Sequence, residues 1–108
     1  MKFWLLNSAV LSAGAYGTYH YKEAGWDELR LVLSAEPVES RIGYTETALL
    51  IERMTGYLPP INRETSIILP GDVAYVVRLR YRVDPSYKGS PSGADLEDWE
   101  VARLRRLS

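Results

Sequence analysis

Val73-Ala74-Tyr75-Val76-Val77-Arg78-Leu79-Arg80-Tyr81-Arg82-Val83 is the stretch on which the fold turns. β-branched and aromatic residues dominate it, which is the composition of a strand. Strand side chains alternate between two faces. One face therefore carries Val73, Tyr75, Val77, Leu79 and Tyr81, and the other Ala74, Val76, Arg78, Arg80 and Arg82. The second set projects three arginines at steps of about 7 Å, twice the strand rise. Consecutive phosphates of an extended nucleotide strand are similarly spaced, so such a row can grip successive phosphates. The alternative is a solvated face on which each arginine pairs with a nearby carboxylate.

On the N-terminal side, Pro70-Gly71-Asp72 predicts a turn, and Glu64 to Leu69 reads as the preceding strand. Before that, Tyr44 to Thr55 carries Thr47, Leu50, Ile51 and Met54 at helical spacing, with Glu46, Glu52 and Arg53 elsewhere. Gly56 stops this helix and Pro59-Pro60 prevents a restart. Ser34 to Arg41, which contains Pro37, reads as a loop. Trp26 to Leu33 reads as a short helix, and Gly17 to Lys22 as a strand. On the C-terminal side, Asp84 to Ala94 holds two prolines and two glycines and reads as a mobile loop. Asp98 to Leu107 is a strand or a helix, and its period does not decide between them.

The first fifteen residues admit two readings. An early lysine, an apolar run and Ala13-x-Ala15 have the outline of a secretory signal. Asn7 and Ser8, however, interrupt the run well short of a 7–15-residue apolar core. The other reading is a short buried strand from Lys2 to Asn7. The run is too short to span a membrane.

With 108 residues, 46% of them hydrophobic and 25% charged, the chain is one domain able to bury a modest core. No cysteine is present, which excludes disulfides, thiolate zinc sites and a cysteine nucleophile. A single histidine, His20, excludes a histidine-rich metal centre. The net charge of −1 makes duplex nucleic acid an unlikely partner. Of the 13 basic residues, 10 are arginine, the residue suited to forked capture of phosphate or carboxylate. His20, between two tyrosines, reads as a half-buried structural residue. Trp4, Trp26 and Trp99 read as core or interface residues. The run Asp95 to Glu100 reads as a solvated acidic segment more readily than as a metal site. Arg41-Ile42-Gly43-Tyr44-Thr45-Glu46-Thr47 leads into the main helix. Its free N–H groups and dipole can receive an anion, with Gly43 permitting close approach and Thr45 and Thr47 offering hydroxyls. Capping by Thr45 is the plainer alternative.

Taken in order, several segments resemble a family of small proteins from viruses and mobile elements. That family includes the anti-CRISPR ring nuclease of type III systems and relatives on bacterial conjugative elements. The matching residues are Leu5-Leu6-Asn7-Ser8 and Ile42-Gly43-Tyr44-x-x-Thr47. They continue with Gly56…Pro60-Ile61-Asn62-Arg63 and Gly71-Asp72-x-Ala74-x-Val76-Val77-x-Leu79-x-x-Arg82. The match runs from the N-terminus to about Val83. The resemblance implies a single α/β domain, a mixed central sheet flanked by helices, in a cytoplasmic homodimer. It implies that a cyclic oligoadenylate binds across the dimer and that the active members cut it without metal or other cofactor. In that chemistry a ribose 2′-hydroxyl attacks the phosphodiester and a histidine protonates the leaving oxygen. Carried over by position, Asn7, Gly43, Thr47, Arg63, Arg78 and Arg82 become the expected ligand-binding set.

The chain departs from the pattern where the chemistry resides. Tyr44 stands where the family has its catalytic histidine. A phenol with a pKa of about 10 is a poor proton donor at neutral pH beside an imidazole of about 6.5. Pro85 stands where the family has an active-site glutamate, and Val10 replaces a ligand-facing serine. The resulting expectation is a dimeric binder of a cyclic oligonucleotide second messenger. A slow ring nuclease, with Tyr44 and Arg82 as its catalytic pair, is one alternative. A mobile-element regulator that shares only the fold is the other, since fold does not determine function.

Overall fold

The computed structural model describes residues 1–80 and 98–108. The expected loop over 84–94, Arg82 and most of the acidic run from Asp95 lie outside the described residues. The elements are β1 (Phe3–Leu6), β2 (Tyr19–Glu23), α1 (Trp26–Ala35), β3 (Val38–Arg41), α2 (Thr45–Thr55), β4 (Val73–Leu79) and β5 (Trp99–Arg106). The five strands form one mixed sheet in the order β2-β5-β4-β1-β3. β1 runs parallel to β3 on one side and to β4 on the other, while β5 is antiparallel to β4 and β2. This is the expected α/β domain with a mixed sheet.

β1 and β4 are interior strands, and both of their faces are covered. Leu5, Tyr75, Val77, Trp99 and Val101 pack under Leu29 of α1 and Ala48 and Ile51 of α2. On the opposite face, Trp4, Leu6, Ala74, Val76 and Leu104 are covered by Ile68 from the connection between α2 and β4. Two-sided burial explains why β5 has no clean period in sequence. Val101 and Leu104 are both buried because they serve different cores. It also makes residues 3–6 a strand in the sheet's interior. Gly56 ends α2 in the left-handed conformation at φ 83°, and its N–H donates to the Glu52 carbonyl at 2.8 Å.

Two segments differ from their sequence reading. Val38–Arg41, expected as loop, is the edge strand β3. Pro37 directly precedes the strand, where a missing N–H removes nothing from the ladder. Glu64 to Leu69, expected as strand, forms none. Side chains take up three of its backbone groups, among them the Glu64 N–H, which donates to Asn62 Oδ1 at 2.9 Å. The Leu69 N–H donates to Asp72 Oδ2 at 3.0 Å, and Arg106 Nη1 donates to the Ile68 carbonyl at 2.6 Å. His20 is exposed on edge strand β2 rather than half-buried, because the helices do not reach that edge. Trp4 and Trp99 are core residues, and Trp26 packs against the core's margin. Among the described residues, no helix is long and apolar enough to cross a membrane.

Candidate functional site

Three parallel strands bring their C-terminal ends to one side of the sheet. Leu6 runs into Asn7, Arg41 into Gly43 and Tyr44, and β4 ends at Arg78-Leu79. The segment from Pro60 to Arg63 is stitched along the end of β3. Ser40 Oγ donates to the Pro60 carbonyl at 2.7 Å, Ile42 bridges to Ile61, and the Asn62 N–H donates to the Ile42 carbonyl at 2.9 Å. These bonds set Arg63 over Gly43. The result is a cleft of about 340 Å³ whose walls include Asn7, Gly43, Tyr44, Arg63, Arg41 and Glu64.

Gly43 is the hinge pin of this cleft. Its N–H donates to Asn7 Oδ1 at 2.9 Å, and its carbonyl accepts from Arg63 Nε at 2.9 Å. Both peptide groups are thereby oriented, and both bonded side chains line the cleft. The glycine is needed for space. A Cβ there would lie 3.2 Å from Arg63 Cγ and 3.7 Å from Asn7 Oδ1. Gly43→Ala is expected to push Arg63 aside by a few tenths of an ångström and to break its bond to the carbonyl. Because Arg63 is a flexible, exposed side chain, the stability cost is expected to stay near 1 kcal/mol. Urea denaturation measures the cost, and loss of the Arg63 Nε–H protection in NMR reports the broken bond.

Tyr44 is the N-cap residue of α2, in extended conformation, and no side chain caps the helix. Capping by Thr45 is therefore not what is found: Thr45 is the first helical residue. The first-turn N–H groups of an uncapped helix carry partial positive charge. The Tyr44 ring is 56% exposed, and the Arg63 guanidinium carbon lies 5.7 Å from its centroid. Among the described residues, no carboxylate pairs with Arg63.

The rest of the expected ligand-binding set is more dispersed. Thr47 is buried at 4% exposure and does not line the cleft. Arg78 lies on the sheet face of Leu6 and Arg41, one strand beyond β1, but outside the cleft wall. Its Nε donates to Glu100 Oε1 at 2.7 Å, and its guanidinium lies 5.9 Å from the Tyr21 ring. The hydrogen bond to Glu100 holds Arg78 firmly charged, above its ordinary pKa. Arg80 Nη2 contacts Glu23 Oε1 at 2.8 Å, and its Nη1 lies 3.9 Å from Glu100 Oε2. The alternating face is real, but its two described arginines are matched by Glu100 and Glu23 rather than standing open. The carboxylates were not foreseeable from β4 alone, because they come from β5 and β2.

Arg41 opened the segment read as an anion site but received no role there, and Glu64 was missed by sequence reasoning. Arg41 lies 5.0 Å from the Trp4 ring centroid, and its Nη1 donates to the Ser40 carbonyl at 2.9 Å and to Glu39 Oε2 at 3.2 Å. Its Nη2 is 4.0 Å from Glu64 Oε2. Its Nε is buried with no hydrogen-bond partner. The available signal was an arginine two residues before Gly43, which gains a direction only once residues 38–41 are a strand in register with β1.

No curated protein matches the sequence significantly. Among solved structures, the chain is similar to B116 of Sulfolobus turreted icosahedral virus, with a TM-score of 0.72 and 17% identity. The match covers 98% of this chain and 100% of that one, and at this identity it shows a shared fold. The STIV B116-like family model matches residues 3–102, nearly the whole chain, and this protein therefore belongs to the STIV B116-like family.

Proposed function

We propose that this protein is a binder of a cyclic oligonucleotide second messenger, of the cyclic oligoadenylate kind, acting as a homodimer. The observation that carries the reading is the Asn7–Gly43–Arg63 frame. Three segments far apart in sequence meet in one cleft, oriented by two hydrogen bonds, beside an uncapped helix N-terminus. Such a place offers an anion N–H donors and a guanidinium that no carboxylate among the described residues neutralises. Tyr44 and Arg63 add a ring face and a cation for a nucleobase. At about 340 Å³ the cleft sits at the small end of ligand pockets, roughly 300–1,000 Å³. That suits one nucleotide unit rather than a whole ring, and two clefts related by a twofold axis would receive a ring symmetrically. Thr47, Arg78 and Arg82 belong to the proposed ligand set by the resemblance alone: Thr47 is buried behind the first turn of α2, Arg78 stands beyond the cleft wall, and Arg82 lies outside the described residues.

Isothermal titration against cyclic oligoadenylates and cyclic dinucleotides tests the reading, and no heat with any of them would sink it. Arg63→Ala is expected to weaken ring binding by about 10–100-fold, the value of one charge-assisted contact of roughly 1.5–3 kcal/mol. An unchanged affinity would remove Arg63 from the site.

A further inference from the structure

The guanidinium of Arg41 is used on one side and vacant on the other. Nη1 is engaged by Glu39 and by the Ser40 carbonyl. Nε and Nη2 share the opposite edge of the planar group, and that edge is the fork that takes an oxyanion through two parallel N–H···O bonds. Among the described residues Nε has no partner, and Nη2 has a 4.0 Å contact with Glu64. The group is fixed in place, since its side chain is 13% exposed and it packs over Trp4. Glu64, by contrast, is 79% exposed and lies on the wall of the same cleft. A buried donor without an acceptor is costly to maintain, and Arg41 is one of the residues that line the cleft beside the exposed Glu64 carboxylate.

We propose that Arg41 is the principal oxyanion receptor of the cleft and that Glu64 is its built-in competitor. A phosphodiester takes the Nε–Nη2 fork, and Glu64 moves off into solvent. Glu39, Ser40 and Trp4 keep the guanidinium aimed throughout. The inference rests on the cleft being a phosphate-ester site, and it adds an anchor and a threshold to that reading. Glu64 would repel the incoming charge and hold affinity below what the arginines alone would give.

The test is titration of cyclic tetra-adenylate into wild type, Glu64→Gln, Arg41→Lys and Asp27→Asn. Glu64→Gln is expected to bind about 3–10-fold tighter, as befits an exposed charge at this range. Arg41→Lys keeps the charge and loses the fork, and is expected to bind at least fivefold more weakly. Asp27→Asn removes the same charge from α1 and is expected to bind like wild type. If Glu64→Gln and Arg41→Lys both bind like wild type, this inference fails and the proposed function stands. Equal gains in Glu64→Gln and Asp27→Asn also overturn it, because the effect would then be net charge. If wild type binds no ring, a second measurement still decides the matter. Inorganic phosphate is added to ¹⁵N-labelled Glu64→Gln while the Arg41 Nε–H resonance is followed. A saturable shift supports the receptor and sinks the ring-binding reading, whereas no shift overturns both.

Discussion

Asp72→Ala is expected to lower folding stability by about 3–4 kcal/mol, a large share of a small domain's total. Asp72 is 5% exposed and lies at the end of the sheet opposite the cleft. Its carboxylate accepts from the Lys2 N–H at 2.9 Å, from Trp4 Nε1 at 3.2 Å and from the Leu69 N–H at 3.0 Å. One side chain thus ties the start of β1, the indole of the second core and the turn before β4. Alanine leaves three donors without their acceptor, and the Trp4 indole is buried where water does not replace it. Hydrogen bonds to a charged group contribute about 1.5–3 kcal/mol each and do not add fully.

The same site has a pH signature. Burial alone would raise the carboxyl's pKa, but the donors from Leu69, Trp4 and Lys2 outweigh it and hold the group below its ordinary value. A depressed folded pKa means the contribution is complete above the ordinary carboxylate value of about 3.9. It is lost as pH falls through the lower folded value. Urea denaturation at pH 7 and near pH 3 measures this. Wild type should lose stability between the two by more than Asp72→Asn, which cannot ionise. Parallel pH profiles for the two proteins would overturn the assignment.

Tyr44→His is expected to raise single-turnover cleavage of bound cyclic tetra-adenylate by about 10²–10⁴-fold, the usual effect of a positioned general acid. The position suits the role. Tyr44 is exposed, lines the cleft and occupies the N-cap position of α2 next to the Gly43 frame, without a side-chain capping bond. An imidazolium with an ordinary pKa of about 6.5 is a ready proton donor near neutral pH. Cleavage by the variant should therefore fall as pH rises through that value. Chromatography of the ring after incubation with excess protein provides the readout. A ring bound by Tyr44→His yet intact after hours would show that the frame holds ligand without aligning a 2′-hydroxyl. Cleavage by wild type itself would instead favour the slow-nuclease alternative.

Which parts of this were legible in the chain follows from the range of the forces involved. Local periodicity and breakers decided α2 and its stop at Gly56, since helix bonds and left-handed caps act over four residues. The apolar alternation from Val73 decided β4, and the small residue before Tyr44 marked a place of close approach. Composition alone excluded thiolate chemistry and a histidine-rich metal centre. Partners distant in sequence were decided only by the tertiary structure. β3 exists because β1 offers it a parallel ladder, and in residues 64–69 no ladder forms, while Asp72 and Arg106 bond the Leu69 N–H and the Ile68 carbonyl at its end. The arginine face of β4 was legible, but its pairing with Glu100 and Glu23 was not, because those carboxylates arrive from β5 and β2. Arg41 stood at the head of the segment leading into α2, but nothing local gave its side chain a role. Its place in the cleft wall, its seat on Trp4 and its unpartnered Nε arise from strand register and burial, which no neighbouring residue encodes.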